Sequence, residues 1–223
     1  MSLLDNPLTD VETRVLGSLI EKEMTTPDHY PLSLNALTNA CNQSSNREPV
    51  VQYDEHTVAR AVETLRVRAL VRAIQQSGSR VTKYRHLVGE AMGLIARQEA
   101  VLCVLMLRGP QTLAELRTRS SRLATFESLD DVETSLNQLI AREPSALAVR
   151  LPRRPGQKEA RYAHLLSGEV SFDTPDAPDD VPTRAAAGAG VDRIGALEAS
   201  VDELRKEVTD LRNQLDSFRK QFE

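Results

Sequence analysis

The chain has few of the residues that build common chemical sites. Its 223 residues include two cysteines, four histidines, four tyrosines, four phenylalanines and no tryptophan. Cys41 and Cys103 are too few and too far apart in sequence for a disulfide framework or a zinc site, which needs about four ligands at close spacing. So few aromatic residues also disfavour a protein that binds single-stranded nucleic acid by base stacking.

Long apolar segments are missing as well. The longest strictly apolar run, residues 101–107, is far shorter than the roughly 20 residues that span a bilayer. The N-terminus lacks a basic region followed by an apolar stretch, the pattern of a secretory signal peptide. We therefore expect a cytoplasmic protein without a membrane segment.

Catalytic and cofactor-binding motifs are also missing. The sequence contains no GxGxxG, GxxxxGK[ST] or GxSxG pattern, and no two histidines lie four residues apart on a predicted helix. Neither cysteine has a base beside it, and both are expected to be small buried apolar residues. We expect no catalytic residue, no metal ligand and no cofactor, and hence a protein that is not an enzyme.

The main feature that is present is a duplication. Residues 33–87 and 112–166 have the same order of elements and contain the matching strings YRHL (84–87) and YAHL (162–165). In each copy a helix begins after Ser33 or Thr112, a second helix begins after Asp54 or Ser128, and two short strands form a hairpin. A further helix precedes each copy, at about residues 10–23 and 90–107. This order predicts a mainly α fold with small β-hairpins (α+β), namely two winged-helix domains in tandem.

Four segments follow from this pattern. We expect winged-helix domains at 1–88 and 89–167, a disordered acidic and proline-rich linker at 168–191, and a coiled-coil helix at 192–223. The helix at 90–107 is apolar on nearly all sides, so we expect it to be buried between the two domains.

The last segment contains an apolar heptad repeat. Such a seam predicts a parallel two-stranded coiled coil and a homodimer, although the helix could instead pack on its own domain. The nine positions of the seam are Ile194, Leu197, Val201, Leu204, Val208, Leu211, Leu215, Phe218 and Phe222.

Two strings of this sequence are similar to the YceH-like family of bacterial proteins. They are PLSLNALTNACNQSSNREP (31–49) and RPGQKEARYAHLLSGEV (154–170), and the similarity extends over most of the chain. The resemblance implies a tandem winged-helix fold in a cytoplasmic bacterial protein. It implies no biochemical activity, so no functional residue is transferred from it.

Charge gives two opposite indications about the ligand. The net charge is −4, but acids outnumber bases by six after residue 167, so the paired domains carry +2. Basic residues concentrate on both hairpins, where they could bind phosphates. The candidate contacts with duplex DNA or a protein partner are Asn42, Gln43, Asn46, Arg47, Arg72, Arg80, Lys83, Arg85, Arg117, Arg119, Arg122, Arg150, Arg153, Arg154, Lys158 and Arg161.

The first turns of the helices after Asp54 and Ser128 are acidic, because they contain Glu55, Asp130 and Asp131. Carboxylates there would face phosphates at the helix end that reads bases in helix-turn-helix proteins. We therefore favour docking of a protein partner and keep DNA binding as the alternative.

The polar insertion at 42–53, which includes Asn42, Gln43, Asn46 and Arg47, has two interpretations as well. It either contacts a ligand or forms hydrogen bonds within itself.

Overall fold

The computed structural model describes residues 6–75, 81–153 and 157–169, all within one compact unit. This part of the chain is α+β, with seven α-helices and two small antiparallel sheets. The helices are α1 (Asp10–Thr25), α2 (Leu34–Cys41), α3 (Glu55–Val67), α4 (Val88–Met92), α5 (Ala96–Arg108), α6 (Leu113–Ser120) and α7 (Leu129–Ile140). The strands are β1 (Leu32–Ser33), β2 (Val71–Ile74), β3 (Lys83–His86), β4 (Gln111–Thr112), β5 (Ala148–Arg150) and β6 (Arg161–His164). The predicted coiled-coil segment at 192–223, and nearly all of the predicted linker at 168–191, lie outside the described residues.

Helix starts follow the capping residues of the sequence. The side chains of Ser33, Asp54, Thr112 and Ser128 each accept a hydrogen bond from the backbone N–H three residues later. These bonds satisfy N–H groups that have no partner within the helix. The predicted starts of α2, α3, α6 and α7 are therefore confirmed.

Each copy contains one strand more than the predicted hairpin. The sheet orders are β1-β3-β2 and β4-β6-β5, with Leu32 opposite Tyr84 in the first sheet and Gln111 opposite Tyr162 in the second. The added strands, β1 and β4, are two residues long and lie directly before a helix cap. A segment this short shows no alternation of apolar and polar residues, so these strands could not be predicted from the sequence.

The single helix predicted at 90–107 is wrong in its bounds, because two helices occupy this region. Gly93 ends α4 in the left-handed conformation, with φ of 61°, which glycine adopts at little cost. The following helix, α5, begins at Ala96. Its apolar residues are buried as expected, and Leu102 and Leu105 have no exposed surface.

The two copies share one hydrophobic core, centred on the contact between α1 and α5. A Cβ atom on Gly17 of α1 would lie 2.9 Å from Cδ2 of Leu107 on α5, so the absence of a side chain lets the helices approach. The Sγ of Cys103 donates a hydrogen bond to the carbonyl oxygen of Gly17 at 3.3 Å. Buried residues lie all round α1 from Glu12 to Glu21.

Within the described ranges, no helix is long and apolar enough to cross a membrane.

Candidate interaction surface

The polar insertion between α2 and α3 forms hydrogen bonds within the protein. The side chain of Asn42 donates to the carbonyl oxygen of Tyr53 at 2.7 Å and accepts from its N–H at 2.8 Å. Arg47 is only 3% exposed and donates to the carbonyl oxygen of Ala40 and the side chain of Gln43. The guanidinium of Arg47 therefore forms its hydrogen bonds inside the fold and does not project towards a ligand.

A buried carboxylate connects this insertion to the second copy. Glu21 of α1, which is 1% exposed, accepts a hydrogen bond from Arg47 at 2.5 Å and also contacts the guanidinium of Arg122, which follows α6. Burial alone would raise the pKa of Glu21. The hydrogen bonds and positive charges of Arg47 and Arg122 outweigh burial and hold that pKa below its ordinary value.

Two further contacts fix the insertion against α5. Arg108 donates to the side-chain oxygen of Asn46 at 3.0 Å, and the N–H of Glu48 donates to the carbonyl oxygen of Leu107 at 2.8 Å. Asn46 has a positive φ of 59°, which asparagine tolerates better than most residues. The insertion thus joins the two copies.

Few of the basic residues that were predicted to contact a ligand from the first hairpin are both exposed and free of a paired carboxylate. Arg85 pairs with Glu90 at 2.5 Å, and Lys83 is half-buried on β3. Arg72 is exposed on β2, and Arg80 lies outside the described residues.

Several candidate cations of the second copy are also paired. Glu115 lies 3.5 Å from Arg119 and 3.2 Å from Arg161, and Arg117 donates to the carbonyl oxygen of Glu127 at 3.1 Å. Arg122 is likewise paired with Glu21. These cations are therefore not available to contact DNA phosphates. Arg154 lies outside the described residues.

The remaining described candidate cations of the second copy, Arg150, Arg153 and Lys158, line a groove of about 350 Å³, which we call the second-copy groove. It lies between the first turns of α6 and α7 and the β5–β6 hairpin. Its apolar wall consists of Leu113, Ala114, Leu129, Ala160 and Tyr162. Its charged residues are Arg150, Arg153, Lys158, Glu133 and Glu159.

The first turn of α7 presents an apolar residue beside carboxylates. Leu129 is 41% exposed and Asp130 is exposed next to it. Asp131 accepts hydrogen bonds from the N–H groups of Glu127 and Ser128, and these bonds lower its pKa. The role of Asp131 is therefore to cap the helix, which leaves Leu129 and Asp130 available for a partner. Leu129 and Glu133 could not be recognised as site residues from the sequence, because one exposed apolar residue and one acid form no motif.

The equivalent histidines of the two hairpins have different surroundings. Both pair with the first residue of the preceding strand, His86 with Val71 and His164 with Ala148. The Nδ1 of His86 accepts a hydrogen bond from the N–H of Val88 at 3.3 Å. The Nδ1 of His164 is shielded from solvent and has no hydrogen-bond partner among the described residues, and burial lowers the pKa of His164 to about 4.

The described ranges contain no cluster of metal ligands and no exposed thiol. No group of three or more His, Cys, Asp or Glu side chains there could hold a metal ion. Both cysteines are buried, and burial raises the pKa of Cys41 to about 11 and raises that of Cys103 as well. At neutral pH both are therefore thiols, the unreactive form.

Comparison with known proteins identifies the family. The family described as "Protein of unknown function, DUF480" matches residues 8–157. A UPF0502 protein of Pelobacter propionicus is 52% identical over 219 residues, which cover 97% of this chain and 98% of the relative. UPF0502 proteins of Geotalea daltonii and Vibrio vulnificus are 50% and 46% identical, over 99% and 95% of this chain and 100% and 98% of their own lengths. The chain therefore belongs to the DUF480, or UPF0502, family of uncharacterised bacterial proteins.

Proposed function

We propose that this protein is a non-enzymatic interaction protein whose two winged-helix units dock a protein partner, with the second-copy groove as the contact site. Each copy, taken together with the helix and short strand before it, has the order helix, strand, helix, helix and hairpin, which is the order of a winged helix. Because that fold serves both DNA and protein binding, the choice between them depends on the surface.

The observation that carries the proposal is the exposure of Leu129 in the wall of the second-copy groove. Covering the exposed part of this side chain with a partner would gain free energy, because it would remove apolar surface from water. The groove adds Leu113, Ala160 and Tyr162 as further apolar surface, and Arg150, Arg153 and Lys158 at its edge. A segment with an apolar anchor and neighbouring acidic side chains complements this surface.

Duplex DNA is the alternative, and one observation favours it. Arg150, Arg153 and Lys158 are exposed, and none lies within 4 Å of a carboxylate in the described part of the chain. Against it, Asp130 and Glu133 would face phosphates on the same surface, and Arg85, Arg119, Arg122 and Arg161 are paired with acids. A strong DNA-binding protein uses about six to ten phosphate contacts, more than the second-copy groove supplies.

Photocrosslinking from position 129 tests the proposed site. A benzophenone amino acid replaces Leu129 in cells, and a control variant carries it at Thr134, which is exposed on the same helix. Five residues turn the α-helix by about 140°, so the control faces another direction. We expect a discrete protein adduct from position 129 that survives nuclease treatment and is missing from position 134. A nuclease-sensitive adduct, or equal adducts from both positions, would contradict the proposal.

Pairing of two chains through the heptads at 192–223 is the second part of the proposal. Its support is the unbroken apolar spacing from Ile194 to Phe222, since nine consecutive a and d positions span just over four heptads, and about three to four heptads are enough to indicate a coiled coil. A dimer would present two second-copy grooves and so increase the apparent affinity for a partner with two matching segments.

A further inference from the structure

A second cavity, of about 500 Å³, lies where the first helix meets the end of the second copy. We call it the junction cavity. Its walls come from the N-terminal part of α1, the polar insertion from Glu48 to Tyr53, the end of α5, and β6 with the residues that follow. This volume falls within the range of about 300–1,000 Å³ that is usual for small-molecule sites, and such sites favour junctions between units.

Arg14 supplies a buried positive charge in the wall of this cavity. It is 4% exposed, and its guanidinium donates to the carbonyl oxygens of Cys41 at 3.1 Å and Pro49 at 2.6 Å. Among the residues that the structure describes, no carboxylate lies within 4 Å of it. Buried charges are usually paired, and a guanidinium has five N–H groups. Arg14 therefore retains the capacity to bind an anion.

His164 supplies a second polar group in the same wall. Its counterpart His86 is held by the hydrogen bond from Val88 to Nδ1, whereas rotation of the His164 ring breaks no such bond. The neutral imidazole carries one N–H donor, which suits a carboxylate oxygen. This difference between equivalent residues is the second, independent sign of a ligand.

The other wall residues limit the charge and shape of the ligand. Asp10, Glu48 and Glu169 lie in the wall and would repel a molecule with several negative charges, such as a polyphosphate. Val51, Met106 and Pro110 provide apolar surface. We propose that the junction cavity binds a small monocarboxylate with an apolar or aromatic body, held by Arg14 and the His164 ring. This inference does not depend on the proposed protein docking.

Titration of the full-length protein with benzoate and 3-phenylpropionate tests the proposal, with benzamide as the uncharged control. The readout is the NMR signal of labelled histidines, because His29 and His56 are exposed internal references. We expect a saturable shift of the His164 signal, no shift of His29 or His56, and at least tenfold weaker binding of benzamide. Equal binding of benzamide, or no saturable shift with either carboxylate, would overturn the proposal.

Two variants assign the contacts, and isothermal titration calorimetry measures the affinity for benzoate in both, because His164→Phe removes the histidine signal that reports binding in the wild type. His164→Phe retains a ring and should weaken benzoate binding roughly tenfold, the size of one hydrogen bond to a charged group, while the control His29→Phe should leave it unchanged. Arg14→Gln should abolish binding in a chain whose folding is verified by circular dichroism. If Arg14→Gln does not fold, His164→Phe remains the decisive variant, and unchanged affinity in it would reject the assignment.

Discussion

The carboxylate of Glu21 on α1 accepts a 2.5 Å hydrogen bond from Arg47 in the polar insertion, and both side chains are almost completely buried. Because Glu21 also contacts Arg122 after α6, one charged group connects the first helix, the insertion and the second copy. A buried pair of this kind adds little net stability when intact, but losing one partner leaves an uncompensated buried charge.

The first prediction concerns this pair. Glu21→Gln should lower the free energy of unfolding by about 3–5 kcal/mol at pH 7, because Arg47 stays buried without a negative partner. Denaturant unfolding of the variant and the wild type measures this difference. Glu63→Gln, which alters an exposed pair with Arg66, is the control and should change stability little.

The stability difference should also depend on pH. The folded-state pKa of Glu21 lies below its ordinary value of 4.5, so its contribution is complete above that value and is lost as pH falls through the folded pKa. The gap between wild type and Glu21→Gln should therefore narrow on going from pH 6 to pH 3. A gap that is constant over this range would show that the carboxylate charge is not responsible.

The second prediction concerns the core shared by α1 and α5. Leu102→Ala should cost about 2–5 kcal/mol, because Leu102 has no exposed surface and its removal leaves a cavity. Val67→Ala, at a residue that is 88% exposed, should change stability little. Because both copies share one core, residues 1–171 should unfold in a single calorimetric transition, and two separated transitions would contradict a shared core.

The third prediction concerns the heptad segment. Truncation after Gly190 should convert a dimer into a monomer in light scattering and leave the unfolding of the remaining chain intact, because it removes every a and d residue of the seam. A truncated chain that is still a dimer would place the interface in the earlier residues. A monomeric full-length chain at micromolar concentration would reject the coiled coil.

The elements of this architecture that could be predicted are those whose sequence pattern lies within a few neighbouring residues. The caps at Ser33, Asp54, Thr112 and Ser128 and the repeated hairpins lie within a few residues of their partners, so they fixed most element starts. Two-residue strands such as β1 are too short to show an alternation of apolar and polar residues. The helix break at Gly93 was missed because apolar residues continue at helical spacing before and after it.

The candidate site was predicted less well than the fold, because its contacts connect distant residues. Glu21 and Arg47 are 26 residues apart, and Arg122 is 101 residues from Glu21. The sequence therefore did not show that the guanidinium of Arg47 is buried and forms its hydrogen bonds inside the protein. Arg14 and His164 likewise share a cavity only because α1 packs against the second copy, which no local motif indicated.

The central claim is that the second copy docks protein and not DNA, and titration with duplex DNA at several salt concentrations tests it most directly. We predict that wild-type protein binds duplexes of unrelated sequence no more tightly than about 0.1 mM at physiological salt. The triple variant Arg150→Glu, Arg153→Glu, Lys158→Glu should bind equally weakly. The control Arg142→Glu reverses one charge beyond the far end of α7, a helix about 18 Å long that begins at Leu129. Sequence-selective binding at nanomolar affinity, with a salt slope that the triple variant makes shallower and Arg142→Glu does not, would contradict the claim.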